Sequence, residues 1–242
     1  MAVTLRSISK QIHWSLLAKA IAFVLAWWYV PTWLFGVVAL GLYIVPPFQL
    51  RRNLAPFLVL LGISFVTPPS ILMVFVYGAL VYYFFLIKDL LVIDRKSGRA
   101  VLAMALSFFL FREFFLIWND GLSLGSIVWA LIVAGVFGAL LNGVIVAHRS
   151  KQEDEDLAGV RRLRRTAVGV AAFIVFEGII AALFLPVDFI YQSIIVFLGA
   201  AFLIDLVPVY FFRELEPRRI RVTAMAIFAL LVVTLASAKW GI

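Results

Sequence analysis

The stretch Val101-Leu-Ala-Met-Ala-Leu-Ser-Phe-Phe-Leu-Phe-Arg112-Glu113-Phe-Phe-Leu-Ile-Trp118 decides how the chain is read. As a helix it covers about 27 Å, close to the thickness of a bilayer's hydrocarbon core. Runs of this kind recur along the whole chain. Hydrophobic residues make up 65% of the sequence and charged residues 14%, with a mean hydropathy of +1.10. Soluble domains are roughly half apolar and a quarter charged. The expected fold class is therefore an all-α integral membrane protein, a polytopic helical bundle forming a single domain over residues 1–242.

Outward from residues 101–118, apolar segments bounded by Pro, Gly or charge give candidate spans. They fall at 14–30, 32–50, 54–67, 70–92, 100–118, 122–147, 166–185, 188–212 and 221–238. That makes nine spans arranged as hairpins, with seven to nine compatible with the pattern. Several fall short of the roughly 20 residues that a straight crossing needs, so Leu54 to Thr67 reads as re-entrant or as extended by Gln49 to Asn53. Arg6, Lys10 and Lys19 precede the apolar Ala20 to Val30 as in a signal peptide, but no small-residue cleavage pattern follows, and residues 14–30 read as an uncleaved first span. Residues 1–13 read as an interfacial segment, with Leu5, Ile8 and Ile12 set against Arg6, Lys10 and His13.

Charge sets the expected sidedness. The basic clusters near 51–52, 88–99, 149–165 and 213–221 fall on one side of this arrangement, and the turns at Pro31, Pro68-Pro69, 119–121 and 186–188 carry no Lys or Arg. Basic residues collect in cytoplasmic loops, so the N-terminus is expected inside and the C-terminus outside, in the cell inner membrane. Trp27, Trp28, Trp33, Trp118 and Trp240 reach the outer interface as an aromatic belt. Residues 148–165 form the expected cytoplasmic loop. Its run Gln152-Glu-Asp-Glu-Asp156 before Arg161-Arg162-Leu163-Arg164-Arg165 reads as a solvated topology anchor, with a partner or anionic-lipid contact as the sharper alternative.

Charges inside the spans are the candidate site. Arg112 lies about 9 Å below the outer interface and Glu177 about 13 Å below it, on spans running the same way. Neighbouring helical side chains diverge by about 100°, so Arg112 is expected to pair with Glu177 rather than Glu113. Arg112, Glu113 and Glu177 thus form the candidate polar site, read either as a structural ion pair or as a place for a substrate, proton or lipid headgroup. Asp120 and Asp188 are weaker candidates, in turns where capping is their ordinary role. Asp205, near Pro208, is expected to serve the backbone where its helix breaks.

Much familiar chemistry is set aside. With no Cys there are no disulfides, thiolate metal sites or Cys nucleophiles. His13 and His148 are interfacial, which argues against haem or zinc in the bundle, and no Lys lies deep enough for a retinal Schiff base. No Walker loop, HExxH or Gly-x-Ser-x-Gly occurs. Gly135, Gly138 and Gly143 read as positions of close helix approach. No catalytic residue, metal or cofactor is expected. The basic residues are dispersed between apolar runs, so nucleic acid is not an expected partner, whereas membrane lipids and other membrane proteins are. The function favoured is an accessory, assembly or scaffold subunit. A small-substrate or ion transporter using the Arg-Glu site comes next, then an enzyme acting on a lipid-linked substrate at the outer leaflet.

Overall fold

The computed structural model describes residues 14–45, 47, 50–89, 95–118, 121–148, 157–211, 217–238 and 240. The expected interfacial helix before Trp14 lies outside them, as do residues 149–156 of the expected loop. Among the described residues the chain forms nine helices and no strand: α1 (Trp14–Tyr29), α2 (Thr32–Ile44), α3 (Leu50–Val66), α4 (Ile71–Asp89), α5 (Arg95–Ile117), α6 (Leu124–His148), α7 (Leu157–Leu183), α8 (Phe189–Phe211) and α9 (Pro217–Ser237). Helices α4 to α9 are long and apolar enough to cross a membrane; α1, α2 and α3 are apolar but shorter. The chain packs as two compact units, Met1–Asp94 and Arg95–Ile242.

In the first unit, Pro31 and Pro68-Pro69 fall between helices, where the N–H that a proline lacks is not needed to continue a ladder, whereas Pro56 sits inside α3. The break at Val30-Pro31 is a reversal: the Phe23 and Phe35 rings meet at 5.1 Å, whereas twelve residues of continuous helix would separate them by about 18 Å. Pro68-Pro69 acts likewise, since the Thr67 and Tyr77 hydroxyls lie 3.2 Å apart across it. Ser70 then caps α4, its Oγ accepting from the Met73 N–H at 3.3 Å. Contacts of Lys19 with Asp89 and Trp27 with Tyr77 make α1 and α4 antiparallel. α1 also packs on α2, and α3 joins α2 to α4. The aromatic core includes Phe23, Phe35, Phe57, Tyr77, Phe84 and Phe85.

In the second unit, α5 packs on α6 and α8, α7 packs on α6 and α8, and α6 touches α8. α5 and α7 therefore stand at opposite corners of a four-helix arrangement, and α9 lies along α8. Gly121, with φ +98°, supplies the left-handed residue before α6. Ser123 and Ser126 then cap one another, each Oγ accepting from the other's N–H at 3.1 and 2.8 Å, the reciprocal pattern of a capping box. α8 and α9 are antiparallel, joined by Tyr191 to the Ser237 carbonyl and by Thr223 to Asp205.

α5, α7 and α9 begin earlier than the sequence expectation, at Arg95, Leu157 and Pro217, so residues 157–165 are helical rather than loop. α3 begins at Leu50, in line with the extension expected before Leu54, and α2 stops at Ile44, short of residue 50. Hydropathy marks only the apolar part of a helix, whereas Leu, Arg and Ala sustain helix beyond it. α8 also continues past the buried Pro208 to Phe211, without the break expected near Asp205.

Candidate functional site

The residues singled out from sequence do not gather in one place. Arg112 forms an ion pair with Glu113, its immediate neighbour. The pairing differs from the expectation because the flexible stems of both side chains span the roughly 100° between neighbouring helical directions. Glu113 is buried, with a side chain 6% exposed against 21% for Arg112. Its Oε1 accepts from Arg112, while Oε2 is buried without a hydrogen-bond partner among the described residues.

The expected Arg112–Glu177 pair is absent. Glu177 lies on α7, at the opposite corner from α5, and is exposed. Similar depth on two spans does not make them neighbours, and here α6 and α8 pack against each other between them. Asp188 is exposed and stands just before α8, where its backbone carbonyl accepts from the Tyr191 and Gln192 N–H groups at 2.9 and 3.2 Å. Asp120 lies outside the described residues. Asp205 accepts from the Thr223 hydroxyl at 3.5 Å beside a cavity of about 10 Å³ between α8 and α9, room for about one water.

A denser polar cluster occupies the first unit. Asp89, at the end of α4, receives the Lys19 ammonium on Oδ2 at 2.7 Å and the Lys88 ammonium on Oδ1 at 3.0 Å. Lys88 is fully buried, Asp89 8% exposed and Lys19 18% exposed. Each ammonium also sits over a ring, Lys19 on Phe85 at 5.5 Å and Lys88 on Tyr43 at 5.4 Å, where the ring face attracts a cation. Lys19 donates to the Val45 carbonyl at 2.8 Å, and the Tyr43 hydroxyl donates to the Leu50 carbonyl. The cluster therefore holds both ends of the α2–α3 connection against α1 and α4. The sequence carried a signal for this cluster: Lys19 sits inside an apolar span and needs a carboxylate, and Asp89 is an acid at a span end.

Among the described residues no group of three or more His, Asp or Glu side chains could hold a metal. The helices define a multi-pass, all-helical membrane protein. No protein family, no curated protein and no solved structure matches the chain.

Proposed function

We propose that the chain is an accessory or assembly subunit of the cell inner membrane, working through its surfaces rather than through a reaction centre. The observation that carries this reading is where the span charges go. Arg112 closes on Glu113, Lys19 and Lys88 close on Asp89, and Asp205 takes a hydrogen bond from Thr223. Each contact joins helices or neighbours within one unit, a structural use of charge. A transporter needs polar groups that converge on a path through the bundle. Arg112, Glu113 and Glu177, the motive for that reading, do not converge. The proposed topology keeps nine spans in hairpins with the N-terminus cytoplasmic and the C-terminus outside, on the basic-residue asymmetry alone. Its partners are lipids and other membrane proteins.

The test is deletion of the chain followed by quantitative comparison of the remaining membrane proteins. An accessory subunit leaves a specific subset depleted or unassembled, restored equally by the wild type and by a folded R112L/E113L variant. If no membrane protein changes in level or assembly, the reading fails. If R112L/E113L folds but does not restore the subset, a transporter or enzyme takes its place.

A further inference from the structure

We propose that the N-terminal turns of α7 form a binding site for the phosphate of an anionic phospholipid headgroup, a site independent of the accessory role. Arg161, Arg162 and Arg165 are exposed, and with Thr166 they line a concavity of about 440 Å³. Their positions i, i+1, i+4 and i+5 fall on one side of a helix, so the guanidiniums gather rather than radiate. Thr166 donates its hydroxyl to the Arg162 carbonyl at 3.1 Å, so the ligand's donors are guanidiniums, those of Arg162 and Arg165 foremost. A guanidinium presents paired N–H groups that match phosphate oxygens two at a time, a geometry that a lysine lacks.

Their level along α7 argues for lipid. The apolar part of the helix begins at Ala167, directly after the last of these side chains. In a membrane that boundary lies at the headgroups, where basic residues attract anionic lipid. Because residues 161–166 are helical, the arginines are held on a rigid extension of a spanning helix rather than on a mobile loop. A competing occupant comes from the chain itself: the acids Glu153, Asp154, Glu155 and Asp156 precede the same helix in sequence.

The experiment places the purified full chain in nanodiscs of equal phosphatidylglycerol and phosphatidylcholine and measures the lipid that stays bound in detergent by native mass spectrometry. The wild type is expected to retain phosphatidylglycerol preferentially. R161Q/R162Q/R165Q should lower that preference by about fivefold or more, the effect of even one basic residue at an anionic surface. R165K should lower it less, and R218Q/R221Q, on α9, should leave it intact. If the triple variant misfolds, the single exposed change R165Q carries the same expectation of about fivefold. An unchanged preference in R161Q/R162Q/R165Q or R165Q overturns the proposal. So does an equal fall in R218Q/R221Q, which would make net charge the cause. Displacement of the lipid by inorganic phosphate would identify a free-phosphate site instead. A preference seen only after E153Q/D154N/E155Q/D156N would make the acidic run the occupant and also reject the lipid site.

Discussion

Replacing Asp89 removes the carboxylate that Lys19 and Lys88 share, so two ammonium groups are left facing one another beside apolar rings. Breaking a buried ion pair from one side costs about 3–5 kcal/mol, and the partial exposure of Lys19 places Asp89→Asn near the lower end. Lys88→Met should cost much less, because Asp89 then keeps Lys19. Unfolding of the detergent-solubilised protein, followed by circular dichroism, orders the two; equal losses would mean that the cluster does not bear on stability. Arg112 follows the same logic with a different partner. Arg112→Leu strands a buried Glu113 and should destabilise more than R112L/E113L, whereas Glu177→Leu should fall within about 0.5 kcal/mol of the wild type, as exposed substitutions usually do. The sequence could not reveal these partners. Depth along a helix is readable from residue count, but which corner a helix occupies is set by packing. Lys19 and Asp89 are 70 positions apart, and nothing in either segment names the other.

Helices were more legible than contacts. Apolar runs ended by Pro31, Pro68-Pro69 and Gly121 placed all nine elements, because a membrane permits few alternatives to helix and prolines mark the reversals. Their polar extensions, such as residues 157–165, were not legible, since hydropathy says nothing about helix outside the apolar layer. Glycines show the same limit. Gly135, Gly138 and Gly143 looked equivalent, yet only Gly138 faces a neighbour closely: a Cβ there would lie 3.3 Å from the Ala172 methyl and 3.4 Å from Val168, while the other two have open space. Gly138→Leu should therefore destabilise the α6–α7 pair by about 1–3 kcal/mol, the usual cost of overpacking. Gly143→Leu should be tolerated. The same unfolding measurement compares them, and equal losses would mean that close α6–α7 approach at Gly138 is not what matters.

At the scale of the molecule, the proposed topology can be read with single cysteines, because the chain has none of its own. Cysteines at 70, 123 and 188 should react with an impermeant reagent from outside the cell, and those at 45 and 162 only after the membrane is opened. Reaction of 162 and 188 from the same side would remove the span assigned to α7. The helices of the first unit carry a different implication. α1, α2 and α3 have 16, 13 and 17 residues, about 24, 20 and 26 Å of helix against a hydrocarbon core of about 30 Å. α6, with 25 residues, reaches about 38 Å. In the proposed topology, where the short helices also cross, lipid around them compresses while lipid around the long one does not, so one chain would impose two bilayer thicknesses on its surroundings. Hydrogen exchange in residues 14–66 should accordingly be slower in bilayers of myristoyl lipids than in bilayers of eicosenoyl lipids, with α6 much less affected. Such a protein would be drawn to places where a membrane is already thin or changing in thickness, and its position in the cell would follow acyl-chain length as much as any binding partner.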